Sequence, residues 1–170
     1  LLNSKYHEIR LFALLLMVHR FTKGDSEEQQ RVYEAYIDNT RLINNWDLVD
    51  SSAYQIVGAW LKDRDNSLLL DFAKSNMLWE RRIAIIATFY FIKHNEFDTS
   101  LEIAELLLSD HEDLIHKAVG WMLREIGNRD LDTELEFLKM HYQRMPRTML
   151  RYAIERFEED LRQQFLKGEI

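Results

Sequence analysis

Residues that break helices are rare in this chain, with one proline and five glycines among 170 residues. Between them, apolar residues recur mostly three and four positions apart, which is the spacing of one helical face. The stretch from Ile83 to Ile92 is β-branched and aromatic, yet it lies inside a longer run, 78–94, without a turn signal. A buried central helix is therefore expected there instead of a strand. The sequence predicts an all-α fold.

The apolar spacing predicts ten helices, which are 4–22, 27–40, 46–62, 67–74, 78–94, 97–108, 113–127, 130–142, 148–157 and 159–166. Ser4 and Ser26 are predicted N-caps, the second forming a capping box with Gln29. Asn45 and the asparagine before it are cap candidates for the third helix, and Pro146 marks a break and restart.

Composition excludes several classes of protein. The absence of cysteine removes thiol nucleophiles, disulfide frameworks and cysteine-bound zinc. The histidines form no HExxH motif, and neither a nucleophile elbow nor a glycine-rich phosphate loop occurs. No apolar run reaches the ~20 residues of a membrane span, and no signal peptide is recognisable, so the cytoplasm is expected. A single domain over 1–170 can bury roughly 70% of its unfolded surface.

Charge is distributed unevenly along the chain. The net charge of −7 argues on its face against a nucleic-acid partner. Between Glu96 and Asp113, however, there are seven acids and no lysine or arginine, and the remaining 22 acids balance 22 bases. From His141 to Tyr152 there are three arginines and no acid. We expect the acidic stretch to be a solvated outer helix, so net charge does not decide the partner.

A weak internal repeat supports pairing of the helices. A base followed by small and branched apolar residues occurs at Arg82, Lys117 and Arg151, 35 and then 34 positions apart. Two-helix repeats have about this period, which predicts a short curved α-solenoid with a row of cations along its concave surface. One further step towards the N-terminus reaches Asp47, so this position is acidic where its counterparts are basic.

Two groups of side chains share helical faces. Trp46 and Asp50 are four positions apart, and Lys117, Trp121 and Arg124 follow the i, i+4, i+7 pattern. Each has a structural alternative. A tryptophan taken alone is more often a core residue, and an acid in a first helical turn is favoured by the helix dipole.

The arginines also have a structural alternative, in which Arg81, Arg82 and Arg124 pair with Glu80 and Glu125 on solvated faces. Pattern alone therefore supports an α-solenoid with a polar and aromatic groove, which is more often a binding surface than an enzyme.

Four segments carry a more specific signal: Asn45–Asp50, Trp79–Ala84, His116–Glu125 and Ala153–Glu155 after Pro146. In order and spacing they resemble the AlkD-type DNA alkylation repair proteins. The third segment, KAxGWxLRE in pattern, is the most specific. The resemblance implies HEAT-like helical repeats and a concave groove that cradles duplex DNA. It also implies glycosylase activity on N3- and N7-alkylated purines without a metal or other cofactor.

The resemblance assigns roles residue by residue. Trp46, Asp50 and Trp121 match catalytic positions. The expected DNA-binding residues are Arg82, Lys117, Arg124, Arg147 and Arg151. No lysine is placed for Schiff-base chemistry, so monofunctional excision by a monomer acting on alkylated duplex DNA is expected. The family's N-terminal repeat is expected to be absent, because the chain starts near the beginning of a helix.

Two alternatives stay open at this point. A non-catalytic binder of DNA structure fits the basic row and the missing front end, and it predicts salt-dependent duplex binding without base release. A protein-interaction solenoid fits the overall acidic balance, and it would be favoured if Arg82, Lys117 and Arg124 lay on different faces.

Overall fold

The structure is a computed structural model that describes residues 1–170. It is helical throughout and contains no strand, which confirms the all-α prediction. The chain divides into two compact units, Leu1–Phe91 and Ile92–Ile170. No helix combines the length and the apolarity that crossing a membrane requires.

The first unit is built around one buried helix. Its helices are α1 (His7–Lys23), α2 (Ser26–Ile37), α3 (Trp46–Asp50), α4 (Ala59–Leu61), α5 (Ser67–Ala73) and α6 (Leu78–Ala87), and α7 (Phe89–Ile92) ends at its boundary. A 3₁₀ turn, Thr40–Leu42, precedes α3, and a π-helical segment, Tyr54–Gly58, follows it. In α6, every residue from Ile83 to Ala87 is fully buried. This confirms that the β-branched run forms a central helix, which packs on α3, α5 and the π-helical segment.

Two predicted long helices are interrupted. The 46–62 prediction is divided into α3, a turn, the π-helical segment and α4, and the 78–94 prediction is divided at Thr88. Hydroxyl groups at both breaks bond backbone carbonyls. Ser52 Oγ donates to the carbonyl of Leu48 at 2.6 Å, and Thr88 Oγ1 donates to that of Ile85 at 2.7 Å. Such bonds compete with the regular helical ladder and favour a local bend.

One of the predicted caps is confirmed and two are wrong. The side chain of Asn45 accepts a hydrogen bond from the Trp46 amide at 2.8 Å and caps α3 as predicted. In α2, however, Asp25 is the N-cap, because its carboxylate accepts from the Glu28 amide at 2.9 Å. Ser4 lies outside α1, which begins after Tyr6. The sequence therefore predicts where these helices start, but it places two of the three N-caps one or two residues away from their observed positions.

The second unit is organised by α9. Its helices are α8 (Asp98–Leu106), α9 (Asp113–Gly127), α10 (Leu131–His141), α11 (Arg147–Ala153) and α12 (Glu159–Lys167), with a 3₁₀ turn at Ile154–Arg156. The bounds of α9 are those predicted from the sequence. Helix α9 packs most extensively against α11 and also contacts α10 and α8.

A glycine permits close helix packing in each unit. A Cβ placed on Gly120 of α9 would overlap the carbonyl oxygen of Met149 and lie 2.5 Å from Cβ of Tyr152. Gly58 has the same relation to its own partners, which also lie 29 and 32 positions further along the chain. Both units therefore bring helices together through one glycine, with the same spacing along the chain to its contacts.

The acidic stretch is solvated as expected. Six of its seven acids are exposed and Asp110 is half-buried, while the apolar residues between them, such as Ile103 and Leu107, are buried. An amphipathic helix of this kind needs no ligand to account for its charge.

Candidate functional site

Helix α3 carries two of the predicted site residues. Trp46 is its first residue and Asp50 its last, so both lie on one side of a single short helix. The Trp46 residue is 53% exposed, which rules out the core alternative for this tryptophan. The other three, Trp60, Trp79 and Trp121, are all half-buried.

A bidentate ion pair joins Asp50 to α6. Arg82 Nε donates to Asp50 Oδ1 at 2.9 Å, and Arg82 Nη2 donates to Oδ2 at 2.8 Å. The Asp50 side chain is 18% exposed and that of Arg82 only 6%. Both carboxylate oxygens accept, as they do in an ionised aspartate, and the planar guanidinium fixes their orientation. The structure thus brings together two residues that lie 32 positions apart in sequence.

A buried hydroxyl pair lies in the turn and helix next to Asp50. Tyr36 is fully buried and its Oη lies 3.0 Å from Ser52 Oγ. Burial raises the pKa of Tyr36 well above its usual range, the hydrogen bond to Ser52 opposes this, and the charge of Asp50 adds to the rise. Tyr36 is therefore a neutral phenol that anchors α2 to the turn after α3.

Contacts at the start of α3 come from α1. His7 Nε2 lies 2.6 Å from Asp47 Oδ2, and Asp47 Oδ1 accepts from the Leu48 amide at 2.9 Å. Arg10 Nη2 donates to Asn44 Oδ1 at 3.3 Å. Sequence reasoning missed His7 because forty residues separate it from its partner. The only signal was the acid at a repeat position that is otherwise basic.

In the second unit, the predicted residues Lys117, Trp121 and Arg124 all lie on the partly exposed side of α9. Each contacts an acid. Lys117 Nζ pairs with Asp113 at 2.7 Å, Trp121 Nε1 donates to Glu125 Oε1 at 3.3 Å, and Arg124 pairs with Glu155. The three share a face of one helix, as the i, i+4, i+7 spacing predicts.

The structural alternative, in which the arginines pair locally, is wrong for two of them. Arg82 pairs across helices with Asp50, and Arg124 with Glu155. Their expected partners bond other groups: Glu125 pairs with Arg129 at 2.9 Å, and Glu80 accepts from Thr40 and Ser75. Both arginines therefore connect helices instead of decorating a solvated face.

Two predicted DNA-binding residues are exposed on α11. Arg147 and Arg151 form no ion pair, and neither does Arg144 before them. They are thus positive charges without an ion pair, in a stretch of sequence, His141 to Tyr152, that contains no acid. Exposed, unpaired guanidinium groups are suited to phosphate oxygens.

A buried acid lies near Arg124. Glu134 of α10 is 1% exposed, and its Oε1 has no hydrogen-bond partner. Burial raises the pKa of Glu134 to about 8, although the charge of Arg124 acts in the opposite direction. At neutral pH this side chain is mostly protonated and adds little negative charge to the basic surface.

No cluster of three or more histidine, aspartate or glutamate side chains is arranged to hold a metal ion. Among the predicted site residues, the groups suited to chemistry are Asp50 with Arg82, the tryptophans Trp46 and Trp121, and the bases.

Comparison with known proteins assigns the chain to a class. The family model described as DNA alkylation repair enzyme matches residues 1–157, and the chain belongs to this family. A solved structure described as a predicted DNA alkylation repair enzyme from Enterococcus faecalis is similar, with a TM-score of 0.74 and 19% identity. The similarity covers 92% of this chain and 72% of that one, and at this identity it supports the fold alone. No curated protein matches the sequence.

Proposed function

We propose that the protein is a DNA glycosylase that removes cationic N3- or N7-alkylated purines from duplex DNA by hydrolysing the N-glycosidic bond. One observation carries the proposal: Asp50 lies on the same short helix as the exposed Trp46, and its carboxylate is held by Arg82 of α6. Membership of a DNA alkylation repair family supports DNA as the partner.

The proposed reaction needs a carboxylate but no general acid to protonate the leaving base. An N3- or N7-alkylpurine is already cationic, so when the bond to C1′ breaks, the base leaves with the bonding pair as a neutral molecule. The deoxyribose becomes an oxocarbenium ion, as in glycoside hydrolysis generally. A fixed negative charge beside the sugar stabilises this ion. Water then adds to C1′ and loses a proton, which leaves an abasic site.

The aromatic residues have a matching role in this proposal. Indole faces attract cations, by about 1 kcal/mol when exposed and 2 kcal/mol or more when desolvated. Trp46, exposed beside Asp50, and Trp121, half-buried on α9, are the two that we propose contact the cationic lesion.

The bases divide into two roles in this proposal. Arg82 is buried and uses two donors on Asp50, so its main contribution is to fix the orientation of the carboxylate. Arg147 and Arg151 are exposed and unpaired, so they are suited to direct phosphate contacts. Lys117 and Arg124 must exchange an acidic partner for phosphate, which makes their contributions smaller.

One observation favours a second candidate function. Both oxygens of Asp50 already accept hydrogen bonds from Arg82, so this carboxylate can serve mainly to fix α3 against α6. The protein would then be a non-catalytic DNA binder on the same scaffold.

Release of free base from methylated duplex DNA distinguishes the two functions. The proposal predicts 7-methylguanine or 3-methyladenine in the supernatant and abasic sites in the duplex. Asp50→Asn is expected to lower the single-turnover rate by about 100-fold or more, as for loss of other electrostatic groups that act on a transition state. Duplex binding should change far less.

Asp71→Asn is the matched control, because Asp71 is an exposed aspartate on α5 without a bonded partner. It should retain full activity. Duplex binding without base release by the wild type would favour the second function, and full activity of Asp50→Asn would contradict the proposed mechanism.

A further inference from the structure

Asp47 is the exception among the positions of the sequence repeat, which are otherwise basic. Arg82, Lys117 and Arg151 occupy the corresponding positions, and a carboxylate there would repel phosphate. Its Oδ2 lies 2.6 Å from Nε2 of His7. Both side chains are partly buried, with 33% of His7 and 27% of Asp47 exposed. The acid therefore has a specific partner on another helix.

The direction of this hydrogen bond follows from the acceptor. An ionised carboxylate only accepts, so His7 Nε2 carries the hydrogen and donates it to Asp47. The second oxygen, Oδ1, accepts from the Leu48 amide in the first turn of α3. Asp47 thus connects α1 to α3, because one carboxylate oxygen bonds His7 of α1 and the other accepts from a backbone amide in the first turn of α3.

Helix α3 depends on such contacts for its orientation. It is five residues long, and a helix of that length is not stable in isolation. Arg82 fixes its far end through Asp50. Its near end carries Trp46, whose ring is too exposed to be fixed by core packing. Besides the Asn45 cap, the contacts from α1 hold this end, namely His7 on Asp47 and Arg10 on Asn44.

We propose that His7 is a positioning residue that acts through Asp47 to orient Trp46. Contact of the oriented Trp46 with lesion-containing DNA rests on the proposed function, whereas its orientation by His7 is a property of the free protein. The pair also accounts for an acid at a repeat position that is otherwise basic, because the side chain at position 47 bonds a histidine of α1.

Fluorine NMR of protein labelled with 5-fluorotryptophan measures the environment of the Trp46 ring directly. The chain has four tryptophans, and the Trp46 signal is assigned by its loss in Trp46→Phe. His7→Ala and Asp47→Asn are each expected to shift or broaden the Trp46 signal and to leave the other three unchanged. His19→Ala is the matched control, because His19 lies exposed on the same helix without a bonded partner.

Base release gives the second readout. In His7→Ala the single-turnover rate is expected to fall by about 10-fold to 100-fold, the range for a misplaced group, with little change in duplex affinity. His7→Gln should recover most of the loss, since the glutamine amide can donate to the same carboxylate. The double variant His7→Ala/Asp47→Asn should be no worse than either single variant.

Two results would overturn the proposal. One is a Trp46 signal in His7→Ala that matches His19→Ala. The other is a displacement of all four signals together, which would show that His7 supports the whole unit and not Trp46. Absence of base release by the wild type would remove the proposed function and leave the NMR test intact.

Discussion

In each unit one of the predicted site arginines pairs with an acid outside its own helix, and the two pairs differ in how deeply they are buried. In the first unit, Arg82 is 6% exposed and Asp50 18% exposed. In the second, Arg124 is 19% exposed and its partner Glu155 56% exposed. Desolvation strengthens the first pair and makes it costly to break, whereas water competes with the second. The first unit therefore fixes a carboxylate, and the second offers bases that can be released to another anion.

The exposure of the basic residue also increases along the sequence repeat. The basic residue of the pattern is buried at Arg82, 40% exposed at Lys117 and exposed at Arg151. The two residues after Arg82 and after Lys117 are fully buried in both cases. In these two copies the apolar positions stay buried while the exposure of the basic residue changes, whereas in the third copy Tyr152, which follows Arg151, is exposed as well.

Removing each arginine tests this comparison most strongly. Arg82→Ala leaves Asp50 with a largely buried, unpaired charge and is expected to lower the free energy of unfolding by about 3 kcal/mol. Arg124→Ala is expected to cost about 1 kcal/mol or less, because Glu155 remains hydrated. Urea denaturation at pH 7 measures both. Equal losses would contradict the difference between the units.

Filling the two close helix contacts is expected to affect both units alike. An added Cβ on Gly58 or Gly120 would overlap backbone atoms of the neighbouring helix. Gly58→Ala and Gly120→Ala should each lower the free energy of unfolding by about 1–3 kcal/mol, the usual cost of overpacking. A loss in one variant only would show that the glycine contact does not have the same function in both units.

The buried Glu134 of the second unit should make the free energy of unfolding depend on pH. Its pKa is about 8 in the folded chain and 4.5 as its ordinary value. Between these values the unfolded chain has lost a proton that the folded chain retains, so stability falls as pH rises, by up to about 1.4 kcal/mol per pH unit. Glu134→Gln should remove this slope in urea denaturation at pH 5, 6.5 and 8. The exposed Glu136→Gln is the control, and a slope unchanged in Glu134→Gln would exclude Glu134 as its source.

Single substitutions of the exposed arginines should have the smallest effect. Arg147→Ala and Arg151→Ala are each expected to weaken duplex binding equally for normal and methylated DNA and to lower the salt slope by about 0.9. Stability should stay within about 0.5 kcal/mol of the wild type. Arg41→Ala, another exposed arginine, is the control. Selective loss for methylated DNA would assign these residues to lesion recognition instead of phosphate binding.

Helices were predictable from the sequence where apolar periodicity and caps agreed. The bounds of α9 and the Asn45 cap follow from such local patterns. The break at Thr88 was not predictable, since it depends on a hydroxyl bonding a carbonyl within an otherwise continuous apolar run. Periodicity reports which face is buried and does not report where the helical ladder is interrupted.

The candidate site was predictable only in part. Trp46 and Asp50 share a helix, so their spacing was sufficient to place them together. The resemblance named Arg82 as a DNA-binding residue, whereas the structure pairs it with Asp50, and the only signal for the His7 contact was the acid at a repeat position that is otherwise basic. The structural alternative paired Arg124 with Glu125 on its own helix, but the side chain reaches Glu155 in the 3₁₀ turn after α11 instead. Contacts between helices depend on packing that spacing alone does not encode.

In the proposed mechanism, the Asp50 carboxylate stabilises positive charge at the sugar. This role is tested most directly by the affinity for duplexes that carry a pyrrolidine residue, cationic in place of the reacting sugar, or a neutral tetrahydrofuran residue. The wild type is expected to bind the cationic duplex more tightly, and Asp50→Asn to lose that preference while still binding both duplexes. An equal preference in wild type and Asp50→Asn would contradict the account.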